Sequence, residues 1–163
     1  MDDARFLVLA EGSFGPQTSK TANACIRYTP ERVVAVLDST KAGRTSQDVL
    51  GFGGDIPVVP TLEAGLARKP NALLVGIAPA GGQLPPEWIA WIAAGLRQGL
   101  DVWSGLHYFL GDDPMLVEAA KAGRPRSTTC AARPRTSTWP AAARAIPRRR
   151  SSSPSDRTAT SAR

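Results

Sequence analysis

The stretch from Phe6 to Thr21 restricts the folds open to this chain more than any other segment. A short apolar run ends at Glu11, a turn containing Gly12 and Gly15 follows, and an amphipathic helical pattern begins shortly afterwards. A buried strand, a glycine turn and a helix in this order form the opening unit of a nucleotide-binding α/β fold.

Strand and helix patterns alternate from residue 4 to residue 126. Two of the strands, Val33–Leu37 and Ala72–Ala78, are continuously apolar, which is typical of parallel strands that helices cover on both faces. We therefore predict an α/β fold with a Rossmann-like, doubly wound parallel sheet in the strand order 3-2-1-4-5. The predicted strands are Arg5–Ala10, Val33–Leu37, Ile56–Val59, Ala72–Ala78 and Leu100–Trp103. The predicted helices are Thr18–Tyr28, Leu62–Arg68, Pro85–Gln98 and Met115–Ala122, with a helix or turn at Gln47–Leu50.

The first loop contains candidate phosphate-binding residues, because ligands of such sheets bind at the carboxyl ends of the strands. Gly12 and Gly15 could let backbone amides at the helix start hold a phosphate, although a simple tight turn would use the same glycines. The segment ending in Lys20 and Thr21 is similar to a Walker A loop, but it lacks the glycine before the lysine and is one residue short. We reject that identity and keep Lys20 and Thr21 as candidate cofactor-binding residues.

Asp38 stands at the carboxyl end of the second strand, where a dinucleotide-binding fold places the acid that binds a ribose hydroxyl. The alternative is a turn or cap residue, since Asp-Ser-Thr is a common turn composition. Lys41 and Arg44 follow it and could bind a phosphate or be solvated.

Two later strand-end loops supply the remaining candidates for cofactor binding, which are Gly81, Gly82 and His107. His107 is the only histidine and has no evident catalytic partner. Trp88 and Trp91 share a helical face with isoleucines, so we assign them to the core. No catalytic residue and no metal site can be named.

The basic character of the chain belongs to its end. Ten of the 20 basic residues and only one of the 14 acidic residues, Asp156, follow residue 123, so the net charge of +6 comes from that part. A basic tail could bind nucleic acid, but the acidic first part disfavours a nucleic-acid partner. Two cysteines give no disulfide framework, and the absence of a leader or membrane span in the sequence leads us to expect a cytoplasmic protein.

Residues 4 to about 126 resemble the N-terminal Rossmann-like domain of the DUF1611 family. The segments that carry the resemblance are Leu9–Gly15, Lys20–Ala22, Ile26–Tyr28, Val36–Ser39, Ala42–Arg44, Gly76–Pro85 and Gly105–Pro114. The resemblance implies a protein of about twice this length with a C-terminal P-loop domain, and an activity of D-glutamate or D-amino acid N-acetyltransferase type that uses acetyl-CoA. The P-loop is missing from this chain, and no catalytic role can be assigned to a residue by the resemblance.

The sequence after residue 126 is either a genuine disordered basic tail or an out-of-frame translation, and we favour the second interpretation. We expect 127–163 to be a disordered basic tail. If one base is restored near Arg126, the codons of Ser127–Pro134 permit Ile-Tyr-Asp-Val-Arg-Arg-Pro-Pro, which would form a sixth strand. Those of Arg135–Pro140 permit one free residue and then Asp-Leu-Asp-Val-Ala. Those of Ser151–Arg163 permit Val-Leu-Leu-Thr-Val-Gly-Ser-Asp-x-Asn-Val-Gly-Lys, a strand with a P-loop-like glycine loop.

The sequence thus favours an N-terminal fragment of an N-acetyltransferase that is inactive alone. A stand-alone module that binds a nucleotide or another domain is the alternative. The expected partners are a small-molecule or nucleotide ligand and the missing P-loop domain, and a homo-oligomer is left open.

Overall fold

The fold is seen in a computed structural model, which describes residues 3–79, 81, 83–106 and 108–123. Its sheet has five strands, all parallel, in the predicted order β3-β2-β1-β4-β5. The strands are β1 Phe6–Leu9, β2 Val33–Leu37, β3 Val58–Val59, β4 Ala72–Val75 and β5 Asp101–Ser104. The helices are α1 Lys20–Tyr28, α2 Ser46–Leu50, α3 Leu62–Leu66, α4 Pro86–Arg97 and α5 Pro114–Gly123.

The core is centred on β1, the middle strand of the sheet. Its four residues are all buried, and Leu7 pairs with Ala35 on one side and Leu73 on the other. A continuous run of apolar residues in a central strand packs against helices on both faces, which is why alternation of polar residues is absent. The α/β Rossmann-like prediction is confirmed.

Helix α1 is held close to the sheet at the carboxyl end of β4. A Cβ atom on Gly76 would lie 2.8 Å from the Cβ of Ala22 and 2.8 Å from Cγ1 of Val8. The Ala22 N–H donates to the Gly76 carbonyl at 2.9 Å. Because no side chain fits between them, glycine lets the first turn of α1 lie directly on the strand end.

Helices α4 and α5 pack against each other, and α4 also packs against β5. Trp88 is buried and Trp91 is half-buried against the core, as the sequence predicted. Trp103 meets the ring of Phe6 edge-on with centroids 5.5 Å apart. The Asp113 carboxylate accepts hydrogen bonds from the first amides of α5, so the predicted acidic N-terminus is present.

Some predicted elements are shorter in the structure. The third strand is reduced to Val58–Val59. Pro57 forms an isolated antiparallel bridge with Thr45, while its carbonyl still accepts a hydrogen bond from the Val36 N–H of β2 at 3.0 Å. Ser19 occupies the N-cap position of α1, but its side chain makes no capping bond.

The predicted sixth strand and tail lie outside the described residues, and the boundaries 4–126 and 127–163 stay predictions. Among the helices described, none has the length and apolar character required to cross a bilayer.

Candidate functional site

The carboxyl ends of all five strands lie at one edge of the sheet, because the strands are parallel. The chain leaves β1 towards β2 on one side, whereas β4 and β5 extend the sheet on the other side of β1. The β1 and β4 ends therefore flank the switch point at which such folds bind ligands. The loops after β1 and β4 hold most of the predicted site glycines.

The loop after β1 is closed by bonds within itself. Gly12 has φ +67°, and no atom lies within 4 Å of a Cβ placed there, so the backbone conformation is what favours glycine. The Ser13 N–H donates to the Ala10 carbonyl at 3.0 Å. The Gly15 N–H donates to Oγ of Ser19 at 3.0 Å, which explains why that hydroxyl does not cap the helix.

Asp38 is fully buried at the end of β2 and links two loops. Its Oδ2 accepts a hydrogen bond from the Phe14 N–H at 2.9 Å. Its Oδ1 accepts from the Thr40 N–H at 2.9 Å and the Thr40 hydroxyl at 2.5 Å, which caps the short 3-10 helix Ser39–Lys41. The geometry is that of the turn and cap residue held open as the alternative to a ribose-binding acid.

Glu11 makes the reciprocal connection and was not singled out by its sequence context. Its carboxylate accepts from the Ser39 N–H at 2.8 Å and from the Ser39 hydroxyl. Each of the two loops thus places a carboxylate on an amide of the other. We call these five residues, Glu11, Phe14, Asp38, Ser39 and Thr40, the loop clasp.

The electrostatics of the loop clasp favour an ionised Asp38. Burial alone would raise the pKa of its carboxyl group. The hydrogen bonds from Thr40 and from the Phe14 amide, together with Lys41, outweigh burial and hold this pKa below its ordinary value. Nζ of Lys41 lies 3.6 Å from Oδ2 of Asp38, so the buried charge has a cationic neighbour.

The other predicted site residues are only partly brought together. Lys20 and Thr21 are exposed on the first turn of α1, next to the β1 loop. Hydrogen bonds from Thr45 lower the pKa of Asp48 in α2, and the charge of Arg44, which is exposed beyond the Asp38 loop, adds to this. Gly81 is exposed with φ +79°. Gly82 and His107 lie outside the described residues.

This arrangement limits what the β1–β2 side of the edge can bind. The amides of Ser13, Phe14 and Gly15 already donate within the protein, and both oxygens of Asp38 already accept. A dinucleotide would need such amides for its pyrophosphate and such an acid for its ribose. In this structure the Phe14 amide and the Asp38 carboxylate bind one another instead. Within the described ranges, no group of three or more His, Cys, Asp or Glu residues is placed to hold a metal ion.

Comparison with known proteins agrees with this architecture. Residues 39–126, more than half of the chain, match the sequence model of DUF1611_N, described as a Rossmann-like domain of unknown function. A curated relative named D-glutamate N-acetyltransferase, from Tritonibacter scottomollicae, is 39% identical over 62 residues. That alignment covers 38% of this chain and 19% of the relative.

A solved structure of a DUF1611 family protein has a similar fold. The crystal structure of a DUF1611 family protein from Anabaena variabilis ATCC 29413, at 2.30 Å resolution, superimposes with a TM-score of 0.66 and 32% sequence identity. The superposition covers 71% of this chain but 33% of that protein. The chain therefore spans about a third of its structural relative and about a fifth of the curated one.

Proposed function

The chain belongs to the DUF1611_N family of Rossmann-like domains, and from that premise we propose that it is the N-terminal part of an acetyl-CoA-dependent N-acetyltransferase acting on D-glutamate or a related D-amino acid. The observation that carries the proposal is the 39% identity to the relative named D-glutamate N-acetyltransferase. The alignment covers 19% of that relative and 38% of this chain, and we propose that the relative contains a further part that this chain lacks.

The missing part is proposed to be a P-loop domain. The sequence contains no Gly-Lys pair, which a P-loop requires to hold phosphates. Restoring one base near Arg126 permits such a pair at the position now encoding Ala162 and Arg163. We therefore propose that the second domain is encoded in the frame that this chain leaves, and that the chain alone is inactive.

The loop clasp supports a role for this domain in contacting another domain. A free Rossmann loop offers unpaired amides to a phosphate, whereas here the amides of Phe14 and Ser39 bind carboxylates of the neighbouring loop. Two loops tied in this way form a fixed edge with exposed residues such as Lys20 and Thr21 beside it. A fixed edge suits docking, because little conformational entropy is lost when a partner binds.

The test compares two proteins made from the same gene. One is this chain. The other is translated from the gene with one base added after codon 126, and it continues to the next stop codon in the new frame. Both are incubated with acetyl-CoA and D-glutamate, and N-acetyl-D-glutamate is measured by mass spectrometry. We expect product from the frame-restored protein and none above background from this chain.

Two controls separate specific transfer from chemical acetylation. L-glutamate replaces D-glutamate in one reaction, and in the other the lysine of the restored Gly-Lys pair is changed to alanine. Acetyl transfer by this chain alone would overturn the proposal that the chain is inactive without the second domain. Absence of transfer by a folded frame-restored protein towards D-glutamate and other D-amino acids would overturn the proposed activity.

The second candidate function is a stand-alone module that binds a domain or a nucleotide. The occupied amides of the β1 loop favour the domain over the nucleotide. NAD, CoA and ATP at millimolar concentration should leave the melting temperature of this chain unchanged, because a ligand stabilises only a protein that it binds. A rise in melting temperature with one of these three compounds would support a module that binds a nucleotide.

A further inference from the structure

Two close contacts distinguish the two faces of the sheet. A Cβ atom on Gly76 would lie 2.8 Å from Cγ1 of Val8 and 2.8 Å from the Cβ of Ala22, so Val8 faces α1. A Cβ atom on Gly65 of α3 would lie 2.7 Å from Cδ1 of Leu7, so Leu7 faces α3. Because successive residues of a strand alternate between the faces, α1 and α3 lie on opposite sides of the sheet.

The α1 side of the sheet is incompletely covered over β4 and β5. Leu74 and Trp103 share this side with Val8, since the register pairs the three residues across the sheet. Both are half-buried, whereas Leu73 and Val102, which face the other side, are 0% and 4% exposed. A right-handed crossover places α4 on that other side, and α5 packs on α4. Over β4 and β5, the α1 side therefore keeps apolar surface open to solvent.

Helix α1 stands beside this open surface and presents a tyrosine to it. Ile26 lies against the loop after α2, because a Cβ atom on Gly53 would be 2.5 Å from its Cγ2. The guanidinium carbon of Arg27 lies 4.2 Å from the centre of the Phe52 ring in the same loop. Successive helical residues are rotated by about 100°, so Tyr28 lies on the opposite flank, towards β4. Its side chain is 80% exposed. We call the surface formed by Leu74, Trp103 and Tyr28 the β4–β5 groove.

The charges at the β4–β5 groove and on α1 are complementary. The Asp101 N–H donates to the Asn71 carbonyl at 3.0 Å, and the Asn71 side chain donates to the Asp3 carbonyl at 2.7 Å. Two acidic residues therefore stand at the amino end of β4 and β5, on either side of Asn71. Helix α1 contains two exposed basic residues, Lys20 and Arg27, and no acidic residue. A second copy of α1 thus matches the groove in charge.

A two-fold axis parallel to the strands would bring the α1 helix of a second copy into the groove. It turns the same face of each sheet towards the other copy and makes the two α1 helices parallel neighbours, as in an isologous dimer. The space is sufficient, because β4 and β5 extend about 10 Å beyond β1 and packed helices stand about 8–10 Å apart. Helix α1 runs back to the amino end of the sheet, so Arg27 of each copy reaches the acidic end of the other groove.

We propose that two copies of this chain form a two-fold dimer in which α1 of each copy occupies the β4–β5 groove of the other. Tyr28 then packs between the two helices and loses most of its exposed surface. Tyrosine and tryptophan are enriched among the residues that contribute most to interface affinity, because they bury a large area in well-packed pockets. The dimer requires neither acetyl transfer nor a second domain, so it is independent of the function proposed above.

The test is analytical ultracentrifugation of the full 163-residue chain at concentrations from about 1 to 500 µM. We expect a monomer–dimer equilibrium, and Tyr28→Glu should raise the Kd of the dimer by at least about tenfold. Phe109→Glu is the matched control, because Phe109 is an aromatic residue with 50% exposure between β5 and α5. It should leave the Kd unchanged, and circular dichroism checks that both variants are folded.

A cross-linking experiment locates the interface. Tyr28→Cys is combined with Cys25→Ser and Cys130→Ser, so that position 28 carries the only thiol of the chain. In the proposed dimer the two thiols face each other across the two-fold axis, and a bismaleimide that spans about 8 Å should join two chains. Met115→Cys in the same background is the control, since Met115 is 53% exposed at the start of α5 and should stay unlinked.

A monomer at every concentration would overturn the proposal, and the rate at which maleimide modifies the thiol at position 28 would then identify the occupant of the groove. A thiol that becomes protected only in the frame-restored protein would assign the groove to the second domain. A thiol already protected in the monomer would assign it to another part of the same chain. A dimer that Phe109→Glu weakens and Tyr28→Glu does not would overturn the proposal as well.

Discussion

Replacing Asp38 by alanine should strongly destabilise the domain, because this carboxylate connects two loops from inside the protein. The change removes the acceptor of the Phe14 N–H and of both Thr40 donors. Phe14 is fully buried, so its amide loses its partner without access to water.

The expected loss follows from these contacts. A buried donor left without a partner costs about 1–3 kcal/mol. Losing the cap of the Ser39–Lys41 helix costs about 1 kcal/mol more. This cost is moderate because Thr40 is exposed, so its N–H and hydroxyl can bind water instead. Asp38→Ala should therefore lower the free energy of unfolding by about 2–4 kcal/mol. Asp38→Asn keeps one acceptor oxygen and should cost about 1–2 kcal/mol.

Urea denaturation followed by tryptophan fluorescence measures these differences. Asp55→Asn is the matched control, because Asp55 is an exposed aspartate in a turn and should change stability by less than about 0.5 kcal/mol. If Asp38→Ala unfolds at the same urea concentration as Asp55→Asn, the carboxylate does not hold the loops together. If the alanine variant does not fold, the asparagine variant decides the question.

The same carboxylate should make stability depend on acid. The pKa of Asp38 is lowered in the folded protein from the ordinary value of 3.8, so its contribution is fully present above that value. It is lost as the pH falls through the lower folded-state pKa. The difference in unfolding free energy between the parent and Asp38→Asn should shrink as the pH falls below 3.8. A constant difference over that range would contradict an ionised Asp38.

Further changes test other contacts. Gly76→Ala should cost about 2–3 kcal/mol in urea denaturation, because its Cβ would stand 2.8 Å from the Cβ of Ala22. Gly95→Ala, which meets no atom within 4 Å inside α4, should be neutral or stabilising by up to about 1 kcal/mol, and equal effects would refute the close helix–strand contact. Tyr108→Phe loses the 2.7 Å bond to Asp113 and should cost about 0.5–1.5 kcal/mol in thermal unfolding. Asp113→Ala also removes the acceptor for the first amides of α5 and should cost more than Tyr108→Phe, and the reverse order would refute its capping role.

Much of the fold could be predicted from the sequence, because apolar periodicity reports burial directly. The continuous run Val33–Leu37 forms a strand with the predicted bounds. Ile56–Val59 was predicted too long, because the Ile56 carbonyl accepts from the Ser46 N–H and Pro57 is bridged antiparallel to Thr45. The strand order followed from the interpretation of the chain as a doubly wound Rossmann-like fold.

The site was harder to predict, because hydrogen bonds between distant loops leave no local signal. Asp38 could be placed at a strand end, but its bond to the Phe14 amide joins residues 24 apart. Glu11 was missed, since a lone acid after a strand looks like an ordinary surface residue. The only sequence signal was a pair of acids, Glu11 and Asp38, at the ends of two adjacent predicted strands.

We propose that this Rossmann-like domain continues into a P-loop domain in another reading frame. Sequencing the source DNA from codon 120 to well beyond the stop codon tests it most directly. We predict that a frame offset by one base runs on through the Gly-Lys pair into an open second domain. A confirmed tail, with stop codons interrupting the offset frame soon after Arg163, would contradict the claim and leave a stand-alone domain.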